Sequence, residues 1–221
     1  MPVRAKGERG EGVPKGRIVP PDIMKRYALT GGFATGKSTV GRMFEDLRIP
    51  RIDADVLTHK LLESGTEVWR QIVATFGESI LQNNQEIDRP RLAQIVFSDP
   101  KKRKQLESIV HPKVREAMHG EMDRLEREGH QKVILEIPLL FEVGWDKEEK
   151  LDGIIVVVAD EKMQLERGAK KFGLPKEEVQ KRLKAQLPLS EKVKKATFVI
   201  DNSGDLKSTE AQLKKILTAL S

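Results

Sequence analysis

Short apolar runs alternate along this chain with longer segments in which apolar residues recur at helical spacing. The short runs lie at 27–30, 49–52, 132–137, 154–158 and 198–200. Each is too short and too apolar for a surface helix, so each predicts a strand. The helical spacing predicts one helix that ends near residue 47 and others at 161–172, 175–186 and 205–220. Strands that alternate with helices predict an α/β fold with a doubly wound parallel sheet, which binds ligands beyond the carboxyl ends of its strands.

The long charged stretch at 57–128 is predicted to be almost wholly helical. Asp99 and Pro100 make a good helix start within it, with Asp99 as the N-cap and Pro100 in the first turn. Pro112 has no backbone N–H to donate, so we expect it to bend or break that helix.

A phosphate-loop pattern, G-x-x-x-x-G-K-[ST], follows the first predicted strand and precedes a predicted helix. Glycines let successive backbone N–H groups turn toward phosphate oxygens, and the helix aims its positive N-terminal end at the same charge. Lys37 is expected to reach the β- and γ-phosphates of ATP, and the Ser38 hydroxyl to ligate Mg²⁺. The candidate nucleotide-binding residues are Gly31, Gly32, Phe33, Ala34, Thr35, Gly36, Lys37, Ser38 and Thr39.

Two aspartates, Asp53 and Asp55, stand at the end of the second predicted strand, beside the expected triphosphate. On an extended segment both side chains lean to one face, where one carboxylate could accept a hydroxyl proton and the other support Mg²⁺. If a helix begins at Ala54 instead, the side chains diverge and Asp53 is simply the N-cap. The phosphate loop favours the catalytic interpretation. Glu136 closes an apolar strand and either holds magnesium through water or is a hydrogen-bonded strand carboxylate.

Three further features bear on a possible substrate. The apolar loop of Pro138, Leu139, Leu140 and Phe141 suits a flat aromatic group or a methylene chain, although it could equally be core. His111 interrupts a helix, and a packed histidine is the more frequent explanation of such a residue. The turn at 201–204 contains Asn202 and could hydrogen-bond a purine edge.

The segment 162–184 is dense in basic residues. Charge runs are usually solvated faces, but two helices hinged at 173–175 would form a lid that brings a cation onto a transferring phosphoryl group. Arg167 and Arg182 are the better candidates, because a guanidinium binds phosphate through two hydrogen bonds. The chain has no Asn-Lys-x-Asp guanine-reading motif, so a regulatory GTPase is not favoured.

The composition narrows the class of protein. The chain has 221 residues, no cysteine, and 40 basic against 34 acidic residues, for a net charge of +6. This mixed surface does not predict a nucleic-acid partner, and no apolar run approaches the length of a membrane span. The lack of cysteine favours a cytoplasmic location. Residues 1–23 are rich in glycine, proline and charge, so we expect a disordered or vector-derived extension, with Met24 a plausible natural start.

With these residues assembled, the chain from about Met24 onward resembles the dephospho-CoA kinase family. The matching segments are 29–39, the Asp-Ala-Asp at 53–55, His111-Pro112, 137–142, Gln164 to Arg167, Gln186 and 199–204. The resemblance implies ATP-dependent phosphorylation of the ribose 3′-hydroxyl of dephospho-CoA to give coenzyme A and ADP. It implies that Asp55 is the base, with Lys37 and Arg167 also catalytic, and that Asp53, His111 and the loop 138–141 contact the substrate.

The resemblance also implies a P-loop kinase core at 24–56, 130–160 and 187–221, a helical substrate-binding part at 57–129 and a helical lid at 161–186. The sequence departs from the family pattern at Phe33, where a small aliphatic residue is usual, and at Ala34, where glycine is usual. Lys171 and Phe172 stand where the lid often carries an Arg-Asp pair. The oligomeric state is left open. The alternatives are another small-molecule kinase of the nucleoside monophosphate kinase type, a non-catalytic nucleotide switch and, least favoured, a nucleic-acid-binding protein.

Overall fold

A five-stranded sheet forms the centre of the computed structural model, which describes residues 24–220; the expectations for residues 1–23 lie outside that range. The strands are β1 (Lys25–Gly31), β2 (Arg51–Asp53), β3 (Lys132–Glu136), β4 (Gly153–Val158) and β5 (Phe198–Asp201). All neighbouring strands are parallel, and their order is β2-β3-β1-β4-β5. The predicted parallel sheet and its five strands are therefore confirmed, to within one or two residues at most strand ends.

Helices account for most of the remaining described chain. Their bounds are α1 (Lys37–Asp46), α2 (Ala54–Leu61), α3 (Glu67–Phe76), α4 (Arg89–Ser98), α5 (Pro100–Arg127), α6 (Trp145–Glu148), α7 (Glu161–Phe172), α8 (Lys176–Lys184), α9 (Leu189–Lys194) and α10 (Leu206–Ala219). A single 3-10 turn, Glu78–Ile80, lies between α3 and α4. No described helix is both long enough and apolar enough to cross a membrane.

Both faces of the sheet are buried under helices. Successive strand residues point to opposite faces, so neighbouring residues of one strand belong to different core clusters. On one face Leu29 of β1 lies in a core cluster with Val40 of α1 and Leu213 of α10. On the other face Ala28 joins a larger cluster that extends into the helices of the 54–127 segment, where Met118 is fully buried. The sheet is thus covered on both faces, as the doubly wound prediction requires.

Helix α5 confirms the predicted N-cap at Asp99 and continues through Pro112, where a bend or a break is expected. The Asp99 carboxylate accepts hydrogen bonds from the N–H groups of Lys101 and Lys102, so Asp99 is the N-cap and Pro100 occupies the first turn. The predicted break at Pro112 is absent: α5 runs through it without interruption. Val110 and Val114, on either side of Pro112, are buried in the core, and this packing holds the helix together across the missing hydrogen bond.

Candidate active site

The phosphate loop leaves β1 at Gly31 and enters α1 at Lys37, where the first turn has backbone N–H groups without intrahelical partners. Gly36 has a φ of 92°, which favours glycine, and a Cβ there would collide with the side-chain amide of Asn202. Ala34 also adopts a left-handed conformation, with a φ of 57°. That conformation costs an alanine about 1 kcal/mol. The departure at position 34 is therefore accommodated as local backbone strain.

The Lys37 side chain lies along its own loop. Its Nζ donates to the carbonyl oxygen of Gly32 at 2.8 Å. Burial in the cleft, which displaces water from the ammonium group, and the nearby positive charge of Lys192 together lower the pKa of Lys37 to about 8. The carboxylates of Glu136 and Asp55 act in the opposite direction. A bound triphosphate would place negative charge beside this ammonium group and so favour its charged form.

The Ser38 hydroxyl and Glu136 form an oxygen-rich point at the start of α1. Ser38 Oγ donates to Glu136 Oε1 at 2.9 Å, and the other oxygen of this buried carboxylate accepts from Arg51 Nη1 at 2.6 Å. Among the described residues no group of three or more His, Cys, Asp or Glu side chains could hold a metal ion. Mg²⁺ is usually bound through one or two protein oxygens together with substrate phosphates and water, so the Ser38 and Glu136 oxygens fit that ion.

The two aspartates have separate roles in the structure. Helix α2 begins at Ala54, and Asp53 Oδ1 accepts hydrogen bonds from the N–H groups of Asp55 and Val56, while its Oδ2 accepts from Arg51. Asp53 is therefore a helix N-cap and does not line the cleft. The expectation that both carboxylates share one extended face is wrong, because helix α2 begins at Ala54, between the two aspartates.

Asp55 lies in the first turn of α2 and lines the same cleft as Lys37 and Ser38. Part of the Asp55 residue is exposed to solvent. The cleft walls nevertheless displace water from its carboxylate, and this desolvation and the negative charge of Asp53 both raise the pKa of Asp55. Lys37 acts in the opposite direction. A carboxylate with a raised pKa is a better proton acceptor than an ordinary surface aspartate.

The cleft has a volume of about 890 Å³ and is strongly cationic. Its basic lining residues are Lys37, Arg42, Arg167, Lys170, Lys171 and Arg182. Four of these six come from the α7–α8 hairpin, which covers the phosphate loop. Arg167 Nη1 is buried and has no hydrogen-bond partner within the described part of the chain. A buried guanidinium nitrogen without a partner is costly, so this arrangement suits an anionic ligand.

The apolar loop after β3 divides between the cleft and the core. Pro138 and Leu139 line the cleft, and Leu139 is half-exposed. Leu140 and Phe141 are buried in the larger core cluster instead. The prediction that all four contact a substrate is therefore wrong for Leu140 and Phe141, because the turn after Ile137 directs their side chains inward.

His111 lies apart from this cleft. It lines a separate shallow pocket of about 300 Å³, and its ring packs edge-on against Trp145 at a centroid distance of 5.9 Å. Burial lowers the pKa of His111, as expected for a packed neutral histidine. The structure does not bring His111 together with Lys37 or Asp55, and the packed-histidine interpretation describes its observed contacts.

Asn202 lines the cleft and also braces the phosphate loop. Its Nδ2 donates to the carbonyl oxygen of Thr35 at 2.8 Å, and its Oδ1 accepts from the Thr209 hydroxyl at 2.9 Å. The side chains of Asn202 and Thr209 are both buried. The turn after β5 therefore holds the phosphate loop in place through the Thr35 carbonyl.

Phe33, at the tip of the phosphate loop, contacts both helices of the α7–α8 hairpin. Its ring stacks on Phe172 at a centroid distance of 5.0 Å, and the Arg182 guanidinium lies 5.6 Å from its centroid. Phe33 and Phe172, two of the four residues at which the sequence departs from the expected pattern, thus contact each other. Aromatic stacking of this kind contributes beyond simple burial of apolar area.

Sequence reasoning missed three residues that support the loop. Lys192 is fully buried beneath it, Arg51 links Glu136 to Asp53, and Thr209 holds Asn202. Lys192 belongs to a lysine-rich helix in which its exposed neighbours look the same in sequence. No local signal distinguishes these three residues, because each supports the site only once the fold brings it to Glu136, Gly31 or the turn that holds the loop.

A phosphate loop between β1 and α1 of a parallel sheet, with a carboxylate facing it across a cationic cleft, defines a P-loop kinase. The sequence agrees with this class, since the family model for dephospho-CoA kinase matches residues 26–208. The chain belongs to the dephospho-CoA kinase family.

Individual relatives support this assignment. A dephospho-CoA kinase from Bacillus cereus is 45% identical over 189 residues, which cover 86% of this chain and 94% of that protein. The solved structure of a dephospho-CoA kinase from Campylobacter jejuni is 30% identical, with a TM-score of 0.64, and the match covers 89% of this chain and 96% of that one. A crystal structure of a Thermus thermophilus protein is 37% identical, with a TM-score of 0.79, over 90% of this chain and 98% of that one.

Proposed function

We propose that the protein transfers the γ-phosphoryl group of ATP to the ribose 3′-hydroxyl of dephospho-CoA, giving coenzyme A and ADP. One observation carries the proposal. The phosphate loop, the Asp55 carboxylate and the unpartnered Arg167 guanidinium all line one cleft. Family membership supplies the substrate class, and the cleft supplies the groups that phosphoryl transfer requires: anion binding, a proton acceptor and a cation for developing charge.

The donor phosphates would bind across the first turn of α1. Its N–H groups and the Lys37 ammonium provide the positive charge, while Asn202 holds the Thr35 carbonyl away from the phosphate oxygens. Lys37 has to exchange its contact with the Gly32 carbonyl for the β- and γ-phosphates. This exchange restores full charge to an ammonium group whose pKa is otherwise lowered.

The acceptor hydroxyl would lie beside Asp55. As the oxygen–phosphorus bond forms, the hydroxyl proton passes to the Asp55 carboxylate and ADP leaves with the electrons of the broken bond. The raised pKa of Asp55 favours this proton transfer. Pro138 and Leu139 provide an apolar wall in the same cleft for the organic part of the acceptor.

We assign the magnesium site to the Ser38 hydroxyl, with Glu136 as an indirect partner through water. The 2.9 Å contact between Ser38 Oγ and Glu136 Oε1 supports this assignment. Arg51 holds the second Glu136 oxygen, so the carboxylate keeps one oxygen directed at Ser38. When bound, Mg²⁺ would neutralise phosphate charge during transfer.

We further propose that the α7–α8 hairpin is a lid and that the helices at 57–129 form the substrate-binding part of the protein. The hairpin contributes Arg167, Lys170, Lys171 and Arg182 to the cleft, all of which would approach the phosphates when the hairpin closes. Arg167 is the residue most suited to stabilise the transferring group, because its Nη1 is already directed inward without a partner. ATP and dephospho-CoA are the partners that this arrangement predicts.

Substitution of Asp55 tests the proposal. We expect Asp55→Asn to bind ATP nearly as the wild type does and to lose about 10²–10⁴-fold in kcat, since the variant lacks a general base. ADP release should be measured with dephospho-CoA, nucleoside monophosphates and shikimate as acceptors, and the coenzyme A product identified directly. Asp46→Asn, at the opposite end of α1, is the matched control and should retain full turnover.

Two outcomes would contradict the proposal. Wild-type turnover in Asp55→Asn would exclude Asp55 as the base. Phosphorylation of a nucleoside monophosphate in preference to dephospho-CoA would assign the protein to the alternative class of small-molecule kinase.

A further inference from the structure

Helix α9 carries a lysine whose charge is fully buried. The side chain of Lys192 has 0% of its surface exposed, whereas Lys194, two residues along the same helix, is 69% exposed. Lys192 does not line the cleft, so it is not placed to touch ATP or the acceptor. A buried ammonium group carries a large desolvation cost and persists only with strong partners.

Those partners are a carboxylate and the first carbonyl of the phosphate loop. Lys192 Nζ lies 2.7 Å from Glu142 Oε1 and donates to the carbonyl oxygen of Gly31 at 3.3 Å. Lys37 Nζ is 3.5 Å from the same carbonyl oxygen and 2.8 Å from that of Gly32. The ammonium groups of Lys37 and Lys192 therefore both contact the Gly31 carbonyl oxygen, at the point where β1 ends and the phosphate loop begins.

The orientation of this peptide controls the start of the loop. A carbonyl and the N–H of the following residue lie in one rigid plane and point in opposite directions, so anchoring the Gly31 carbonyl also fixes the Gly32 N–H. Gly31 has little space in which to readjust, since a Cβ there would collide with the carbonyl oxygen of Val157 in β4. The contact with Lys192 holds the peptide from below the loop.

The same lysine connects the loop to the base of the α7–α8 hairpin. Glu142 also accepts a hydrogen bond from the N–H of Leu187 at 3.0 Å. Leu187 lies just beyond α8, where the chain returns from the hairpin that carries Arg167. A continuous path of hydrogen bonds thus runs from Gly31 through Lys192 and Glu142 to Leu187.

We propose that Lys192 is a positioning residue for phosphoryl transfer. It holds the Gly31 carbonyl, so the first peptide of the loop keeps its orientation when Lys37 leaves for the triphosphate. In a variant without Lys192, the Gly31 carbonyl keeps only its contact with Lys37. When Lys37 then moves to the phosphates of ATP, neither ammonium group contacts this carbonyl. The inference rests on the proposed function in that ATP is the ligand of the loop.

The test compares Lys192→Met with Lys194→Met, which alters an exposed lysine on the same helix. We expect Lys192→Met to weaken ATP binding by about tenfold or more, the size expected for loss of a charged hydrogen bond. ATP affinity should be measured by calorimetry without an acceptor. In steady-state kinetics the KM for ATP should rise while that for dephospho-CoA stays within twofold, and Lys194→Met should match the wild type.

Lys192→Met leaves Glu142 unpaired and could unfold, so a Glu142→Gln, Lys192→Met double variant removes both charges together. It too should bind ATP weakly, because neither new side chain replaces the ammonium contact with Gly31. Wild-type ATP affinity in either folded variant overturns the inference and makes the ion pair merely structural. If the wild type binds ATP but phosphorylates another acceptor, the proposed function fails while the calorimetric comparison still decides the role of Lys192.

Discussion

Lys37 offers a quantitative test of the site through the protons that ATP binding takes up. With a pKa of about 8 in the ligand-free protein, its amine is neutral in about a tenth of molecules at pH 7, about half at pH 8 and about nine-tenths at pH 9. Contact with the phosphates favours the charged form and raises the pKa. Binding should therefore take up about 0.1, 0.5 and 0.9 protons at these three pH values.

Isothermal titration calorimetry in buffers of different ionisation enthalpy measures this uptake. ATP should be supplied as its magnesium complex, so that its own phosphates are ionised throughout. Lys37→Arg is the matched variant, because arginine keeps its charge over this range. Subtracting its proton uptake from that of the wild type removes the contribution of every other group. A difference that stays near zero from pH 7 to 9 would refute the location of Lys37 at the phosphates.

Two further predictions concern the loop and its contact with the hairpin. Phe33→Ala and Phe172→Ala should show a coupling energy of about 0.5–1.5 kcal/mol in urea unfolding, and additive effects would mean that the ring stack contributes nothing. Gly36→Ala should abolish ATP binding in calorimetry, because its Cβ would displace Asn202. Gly65→Ala shares the left-handed backbone but meets no neighbouring atom, so it should bind ATP normally; equal losses would reject the steric explanation.

Local sequence signals located most of the secondary structure. Glu161–Phe172 was predicted with the observed bounds, and Asp99 was identified as an N-cap, since caps and helical periodicity depend on residues a few positions apart. The short helices α6 and α9 were not predicted. They span four and six residues, too few to display a period, and packing of their apolar residues in the larger core cluster rather than local preference stabilises them.

Several sequence predictions depended on where the chain turns next, which local patterns could not decide. Asp53 became an N-cap because α2 starts at Ala54, and Leu140 became core because the turn after β3 directs it inward. Pro112 did not break α5, since buried neighbours on both sides hold the helix together. For Asp53 and Leu140 the sequence leaves both interpretations open, and tertiary packing selects between them.

The sequence by itself determined the class of site. The spacing of Gly31, Gly36, Lys37 and Ser38 between a strand and a helix predicts phosphate binding because backbone geometry over a few residues creates it. Tertiary structure alone decided what surrounds that loop. Lys192 and Thr209 lie more than 150 residues along the chain from it. The contact between Phe33 of the loop and Phe172 of α7 cannot be read from the sequence around either residue. Charge burial and side-chain contact depend on distance in space, whereas the loop itself depends only on distance along the chain.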